Sequence, residues 1–182
     1  MAPQTQDQRI ALVESLIRDV PDFPKPGVVY KDITPLLGNH EGYQAAVDAL
    51  VEAAPRDIDL VVGMEARGFL FAAPVALALG VGFVPVRKPG KLPMDVFSES
   101  FALEYGSDTL TVHQDAIAPH ARVLVIDDVL ATGGTIGATG RLVQQLGADL
   151  VHVLVVMELG FLGGRENLAS MGISSVGALI TI

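Results

Sequence analysis

The stretch Val123–Thr135 constrains the fold of this chain more than any other part of the sequence. Its first four residues, Val123–Ile126, are all apolar, which is typical of a parallel strand covered on both faces. Asp127 and Asp128 follow at the predicted end of that strand, and small residues and hydroxyls occupy Ala131–Thr135. A helical pattern comes next. The stretch therefore predicts a strand, a turn and a helix, which together are the repeating unit of an α/β fold.

The turn in this stretch has the character of an anion site. Small residues between a buried strand and a helix leave backbone N–H groups exposed at the positive end of the helix dipole, which favours a phosphate group. Asp127 and Asp128 would repel a phosphate, so we expect them to contact ribose hydroxyls or a hydrated metal ion instead. Neither a Walker A lysine nor the spacing of the dinucleotide fingerprint is present. Taken alone, the glycines and the acidic pair also fit an ordinary solvated strand end.

Strand and helix patterns alternate along most of the chain, which predicts a Rossmann-like α/β fold with a mostly parallel sheet flanked by helices. Ligands of such sheets bind beyond the carboxyl ends of the strands. This rule brings Arg67, Arg87 and Lys91 to the same edge as Asp127 and the turn that follows it. The other predicted strands of the sheet are Asp59–Gly63, Phe83–Val86, Leu150–Met157 and Ser174–Ile180.

Two segments interrupt this alternation. Residues 1–37 contain a predicted helix from Gln6 to Val20 and then a proline-rich loop. Residues 87–115 begin with a loop rich in proline and glycine, for which we expect mobility, and continue as a predicted hairpin standing off the main sheet. Because the chain has 182 residues, the simplest organisation is one domain that comprises residues 1–182.

The composition narrows the classes of function. Half of the residues are hydrophobic and 18% are charged, which excludes an intrinsically disordered chain. The formal net charge of −9 opposes general nucleic-acid binding, so any phosphate site has to be locally basic. Cysteine is absent, which excludes disulfides and thiolate zinc sites, and the first residues show no signal-peptide pattern. Together with apolar runs far shorter than a membrane span, these features predict a cytoplasmic protein without a membrane segment.

The central stretch closely resembles the phosphoribosyl-diphosphate signature of type I phosphoribosyltransferases, which is an apolar strand, two acidic residues and Thr-Gly-Gly-Thr. Four further segments resemble the adenine phosphoribosyltransferase branch of that family and occur in the right order. The resemblance covers nearly the whole chain, with slight departures at Tyr30, where Phe is common, and at Lys31, where Arg also occurs. The four segments are Phe23–Pro35, Arg67–Phe69, Arg87–Pro93 and Leu103–Gly106.

The resemblance implies a fold with a small hood in residues 1–37 and a flexible hairpin loop in residues 87–115. It implies a purine salvage reaction in which the 5-phosphoribosyl group moves from phosphoribosyl diphosphate to adenine, giving AMP and pyrophosphate, with Mg²⁺ as the cofactor. It also implies a homodimer. The oxocarbenium-like transition state of this family carries positive charge on the ribose and negative charge on the departing pyrophosphate.

The resemblance assigns the phosphoribosyl group to the central stretch. Asp127 and Asp128 contact the ribose hydroxyls or, through water, the Mg²⁺ shell, and no protein side chain is a direct metal ligand. Arg67 binds the pyrophosphate with its planar fork of donors and counts as catalytic. A cis peptide bond is implied near Glu65–Ala66. The residues assigned to the 5′-phosphate are Ala131, Thr132, Gly133, Gly134 and Thr135.

The resemblance assigns the remaining roles to the hairpin region and the N-terminal segment. Glu104 is the candidate general acid/base near N7 of the purine, and Tyr105 either closes the site or only packs. Arg87 and Lys91 bind the pyrophosphate, in their own subunit or in that of the partner. Main-chain groups of Val29 and Lys31 pair with the amino edge of adenine, and this rim would reject a 6-oxopurine.

Two alternatives stay open at the level of sequence. A phosphoribosyltransferase for 6-oxopurines such as xanthine would share the central motif, although such enzymes usually lack the Phe-Pro-x-Pro-Gly segment present here. A regulator that senses phosphoribosyl diphosphate without catalysis would share the fold, although this chain has no basic face for nucleic acid.

Overall fold

The computed structural model of the protein describes residues 5–102 and 106–182. The chain divides into two compact units, of which the first ends at Glu52 and the second runs from Ala53 to Ile182.

The first unit begins with helix α1 (Gln6–Ser15), which starts at a capping box. The side chain of Thr5 accepts a hydrogen bond from the backbone of Gln8, and the side chain of Gln8 accepts one from the backbone of Thr5. The predicted helix from Gln6 to Val20 is wrong beyond Ser15. Residues Arg18–Pro21 instead form strand β1, because they pair antiparallel with strand β2 (Val29–Asp32), a long-range partner that helical periodicity does not reveal.

Two helices complete the first unit. The short helix α2 (Thr34–Gly38) carries a proline in its first turn, where a missing N–H costs nothing. Helix α3 (His40–Ala53) follows, and Oδ1 of Asn39 accepts a hydrogen bond of 2.8 Å from the backbone N–H of Gly42. This is the N-cap role that asparagine commonly has.

The second unit is built on a five-stranded, all-parallel sheet, which confirms the predicted fold class. The strands lie in the order β4-β3-β7-β8-β9, and their bounds are Leu60–Met64 for β3, Gly82–Val86 for β4, Arg122–Leu130 for β7, Asp149–Glu158 for β8 and Val176–Thr181 for β9. The flanking helices are α4 (Arg67–Leu79), α5 (Gly134–Gln145) and α6 (Gly164–Ser170). Helix α4 packs against β3 and β7, and helix α5 packs against β7 and β8.

Strand β7 is longer than the sequence predicts. The prediction ends it at Ile126, but the strand continues through both aspartates to Leu130, because Val129 and Leu130 still pair with β8. Strand β3 pairs with β7 only as far as Ile126. Beyond Ile126, β3 no longer pairs with β7. The next residue, Asp127, lies beside Gly68 at the N-terminal end of α4.

A two-stranded antiparallel sheet, formed by β5 (Val96–Ala102) and β6 (Ser107–His113), is separate from the parallel sheet. This confirms the predicted hairpin, but the prediction that it stands off the main sheet is wrong, because Leu110 and Val112 of β6 are buried in one core cluster with residues of the parallel sheet. Helix α5 packs against both of its strands. Within residues 5–102 and 106–182, no helix combines the length and the apolar character needed to cross a membrane.

Candidate active site

A cavity of about 220 Å³ lies at the carboxyl end of β7. Its lining consists of Glu65, Arg67 and the continuous stretch Asp127–Ile136. The sequence rule for parallel sheets placed Arg67 and Asp127 at one edge, and the structure brings them to one cavity. Glu65 and Arg67 lie where β3 leads into α4, and the stretch Asp127–Ile136 runs from the end of β7 into the start of α5.

The turn Ala131–Thr135, here called the phosphate turn, leads directly into α5. Gly133 has a φ of +83°, in the left-handed region that glycine adopts without strain, and it is the N-cap of α5. The backbone N–H of Gly137 donates to the carbonyl of Gly133 over 2.8 Å. The N–H groups of the residues just before Gly137 therefore have no acceptor within the helix, which is the arrangement that binds anions at helix N-termini.

The two aspartates on β7 are buried, Asp127 with 8% and Asp128 with 3% of its surface exposed. Burial and the neighbouring Asp128 carboxylate raise the pKa of Asp127 well above its usual value. Burial also raises the pKa of Asp128, and the positive charge of Arg67 opposes that rise. The backbone N–H of Asp128 donates to Oδ1 of Asp127 over 2.9 Å, which orients the Asp127 carboxylate. Two adjacent buried carboxylates are costly, and such costs are typical of functional sites.

Arg67 stands at the N-terminal end of α4, with its Nε 2.9 Å from Oδ2 of Asp128. The two groups are close enough for an ion pair, but among the described residues Oδ2 of Asp128 has no partner with hydrogen-bond geometry. This buried oxygen therefore keeps capacity for a further ligand. Gly68 follows Arg67 and leaves room for Asp127, because a Cβ on residue 68 would lie 2.7 Å from Oδ1 of Asp127.

Arg87 is connected to the cavity through Glu65. Its Nε lies 2.7 Å from Oε2 of Glu65, and its Nη1 donates to the carbonyl oxygen of Lys91 over 3.4 Å. The backbone of Arg87 exchanges hydrogen bonds of 2.9 and 2.7 Å with Thr111 on β6. The predicted cis peptide bond between Glu65 and Ala66 is confirmed. Arg87 is thus held near the cavity by the hairpin, whereas the side chain of Lys91 is exposed.

Sequence reasoning missed the contribution of α6 to this site. The side-chain amide of Asn167 donates to the carbonyl oxygen of Thr132 over 2.7 Å, so α6 contacts the phosphate turn directly. A Cβ on Gly164 would overlap the carbonyl oxygen of Ala131. The Gly163-Gly164 pair is visible in the sequence, but nothing local reveals which loop approaches it.

The predicted base-binding residues Val29 and Lys31 lie on β2 in the first unit. Val29 faces Pro21, and Lys31 faces Asp19 across the β1–β2 ribbon. Because proline has no N–H, the Pro21–Val29 pair suits the position at which facing residues do not exchange hydrogen bonds. By alternation the main-chain groups of Val29 and Lys31 then turn away from β1. The side chain of Lys31 is occupied by Asp19, at 2.6 Å from Nζ to Oδ1.

Glu104 and Tyr105 lie outside the described residues. Their proposed roles stay predictions from the sequence.

Comparisons with known proteins establish the family. Residues 38–166 match the model of the phosphoribosyl transferase domain. An adenine phosphoribosyltransferase from Cutibacterium acnes is 67% identical over 171 residues, which cover 94% of this chain and 97% of that protein. The chain belongs to the adenine phosphoribosyltransferase family.

Solved structures of adenine phosphoribosyltransferases share the fold. The enzyme from Thermoanaerobacter pseudethanolicus is 46% identical with a TM-score of 0.91, and the match covers 95% of this chain and 99% of that one. The enzyme from Saccharomyces cerevisiae, crystallised with adenine and an imino-altritol bisphosphate, is 42% identical with a TM-score of 0.89 and the same two coverages. The chain is therefore a transferase with the architecture of this family along nearly its whole length.

Proposed function

We propose that the protein is a purine salvage enzyme that transfers the 5-phosphoribosyl group of phosphoribosyl diphosphate to adenine and yields AMP and pyrophosphate. The observation that carries this proposal is the cavity at the end of β7, where the phosphate turn, the buried Asp127–Asp128 pair and Arg67 meet. The family supports it further, since the relatives are adenine phosphoribosyltransferases and the Saccharomyces cerevisiae structure contains adenine.

In this proposal the phosphate turn binds the 5′-phosphate, and the acidic pair binds the ribose. The N–H groups at the start of α5 suit a dianionic 5′-phosphate, which the helix dipole also favours. The carboxylates of Asp127 and Asp128 suit the ribose hydroxyls, which donate hydrogen bonds. When the bond to pyrophosphate breaks, the ribose becomes cationic, and a preorganised negative field beside it lowers the barrier.

The donor set of the acidic pair fits Mg²⁺. Mg²⁺ in phosphate-transferring sites is usually held by one or two carboxylates, water and substrate phosphates. Asp127 and Asp128 provide two carboxylates that would hold the ion through its water shell and not as direct ligands, and Oδ2 of Asp128 is a buried oxygen without a hydrogen-bond partner among the described residues. Those residues contain no cluster of three or more His, Cys, Asp or Glu side chains suited to a metal. A bound Mg²⁺ would neutralise charge on the departing pyrophosphate.

Cationic side chains receive the pyrophosphate in this proposal. Arg67 lines the cavity with a permanently charged guanidinium, whose Nε faces Asp128. Arg87 and Lys91 add positive charge from the β4–β5 connection, with Glu65 holding the Arg87 guanidinium. We propose a homodimer in which Arg87 and Lys91 serve their own subunit or the partner.

Adenine is recognised by the N-terminal segment in this proposal. The outward main-chain groups of Val29 and Lys31 present both a donor and an acceptor, which match the amino group and ring nitrogen of adenine and mismatch a 6-oxo group. As N9 attacks the ribose carbon and the bond to pyrophosphate breaks, the Glu104 carboxylate accepts the proton that adenine carries on N7, and in the reverse reaction it returns that proton. We also propose that residues 1–182 act as one domain, with 1–37 as the hood, and that the protein works in the cytoplasm.

The decisive experiment measures pyrophosphate release from phosphoribosyl diphosphate with adenine, hypoxanthine, guanine and xanthine in turn. Release with adenine alone is expected. Release with a 6-oxopurine instead would move the assignment to a 6-oxopurine enzyme, and binding of phosphoribosyl diphosphate without release would indicate a sensor. Chelation of divalent ions should abolish turnover, and added Mg²⁺ should restore it.

A further inference from the structure

Helix α6 packs so closely against the phosphate turn that Gly133 has no space for a side chain. A Cβ on Gly133 would lie 2.9 Å from the carbonyl oxygen of Gly164 and 3.1 Å from Cγ of Leu168. Such distances are tighter than ordinary van der Waals contacts, so the turn rests directly on α6.

Helix α6 is in turn fixed to the sheet by Arg165. The guanidinium of Arg165 forms a two-pronged ion pair with the buried carboxylate of Glu158 at the end of β8, through Nε at 3.1 Å and Nη2 at 2.5 Å. Its Nη1 also donates to the carbonyl oxygen of Val176 on β9 over 2.6 Å. Arg165 therefore joins α6 to both β8 and β9.

Asn167 is the one residue of α6 whose side chain forms a hydrogen bond with the phosphate turn, among the hydrogen bonds of the described residues. Its Nδ2 donates to the carbonyl oxygen of Thr132 over 2.7 Å. The Thr132 carbonyl and the Gly133 N–H belong to one planar trans peptide unit, so they point in opposite directions. With the carbonyl held by α6, the Gly133 N–H is directed away from α6.

We propose that Asn167 is a positioning residue for the phosphoribosyl substrate. Its side-chain amide holds the Thr132–Gly133 peptide in the orientation in which the Gly133 N–H donates a hydrogen bond to the 5′-phosphate. The inference rests on the proposed function, because it takes the phosphate turn as the site of the 5′-phosphate. It adds a residue of α6 that touches no substrate itself.

A purely structural role for Asn167 makes a different prediction. Its side chain is exposed, so a hydrogen bond that served only stability would alter the thermal midpoint and leave the two Michaelis constants in their wild-type ratio. A positioning role alters the KM for phosphoribosyl diphosphate and leaves the KM for adenine unchanged, because only the phosphate turn loses its orientation.

The test uses the full chain and three variants, Asn167→Ala, Asn167→Asp and Glu166→Gln. Asn167→Asp keeps the shape of the side chain but replaces the donor by an acceptor. Glu166→Gln is the matched control, since Glu166 is the exposed neighbour on the same helix. The measurements are kcat, both KM values, the thermal midpoint, and the calorimetric Kd of ribose 5-phosphate as a probe of the phosphate turn.

We expect Asn167→Ala to raise both the KM for phosphoribosyl diphosphate and the Kd of ribose 5-phosphate about fivefold. Asn167→Asp should raise the same two constants about tenfold. The KM for adenine should be unchanged in both variants. Equal KM values in wild type and both variants, an equal effect in Glu166→Gln, or a parallel loss of both substrates would overturn the inference. The Kd separates the two proposals. A wild type that binds ribose 5-phosphate without transferring to any purine refutes the proposed function and still tests Asn167, whereas no binding at all refutes both.

Discussion

Gly68 and Asp127 lie so close together that a Cβ on residue 68 would sit 2.7 Å from Oδ1 of Asp127. The same Cβ would lie 3.3 Å from the carbonyl oxygen of Ile126. The glycine after Arg67 therefore lets the N-terminal end of α4 approach β7, and it lets one buried carboxylate face the cavity.

The first prediction concerns this contact. Gly68→Ala should displace the Asp127 carboxylate and lower kcat/KM for phosphoribosyl diphosphate about tenfold or more, because a small shift of a positioned group is costly in catalysis. Steady-state kinetics checks it. Gly82→Ala on β4 is the control, since nothing lies within 4 Å of a Cβ there, and it should behave as wild type. Wild-type kinetics in Gly68→Ala would show that the position of Asp127 is unimportant.

The second prediction concerns the cost of burying Asp127. Its pKa is raised in the folded protein, so the folded state holds its proton more tightly than the unfolded chain does. The free energy of unfolding should then fall as the pH rises from the usual carboxyl pKa through the raised value. Asp127→Asn removes the ionisable group and with it this loss of stability at high pH. We therefore expect the thermal midpoint of Asp127→Asn at about pH 8 to exceed that of wild type by about 3 °C or more. Its activity should drop.

Thermal melts between about pH 4 and pH 8 test this, because the advantage of Asp127→Asn should shrink toward the acidic end. Asp149→Asn, at the exposed start of β8, should change the midpoint little at any pH. A midpoint of Asp127→Asn below that of wild type across the range would contradict the prediction.

The third prediction concerns Arg67. Arg67→Lys keeps the positive charge but loses the planar fork that faces Asp128 and that, in the proposed function, also binds the pyrophosphate, so kcat/KM should fall about 100-fold. The matched control is Arg122→Lys at the start of β7, where the arginine forms an exposed ion pair with Asp57 at 2.7 Å. That change should leave the kinetics intact. Similar losses in the two variants would mean that Arg67 has no special role.

The fourth prediction concerns Glu104 as the general acid/base. Glu104→Gln should lower kcat by about 10²- to 10⁴-fold with little change in the Kd of phosphoribosyl diphosphate, because proton transfer is lost while the phosphate site is intact. Rapid-quench kinetics and equilibrium binding measure the two quantities. Glu99→Gln on β5 is a control for charge on the same hairpin. A Glu104→Gln variant with a wild-type kcat would remove Glu104 from the mechanism.

The sequence alone determined the parts of this protein that depend on local pattern. Apolar runs and turn residues predicted the parallel sheet and the hairpin, and the segment Asp127–Thr135 predicted a turn into a helix beside two acidic residues. These features are readable because strand burial and helix N-termini are properties of neighbouring residues. The resemblance to a family then supplied adenine, which no local pattern specifies.

Only the tertiary structure decided the features that depend on partners far apart in the chain. Residues Arg18–Pro21 are a strand because β2 pairs with them, and β7 continues through the aspartates because β8 does. The contact between Asn167 and Thr132 joins residues on separate connections of the sheet. Each of these outcomes is set by long-range pairing and close backbone approach, whose energies override local preference and leave no periodic trace in the sequence.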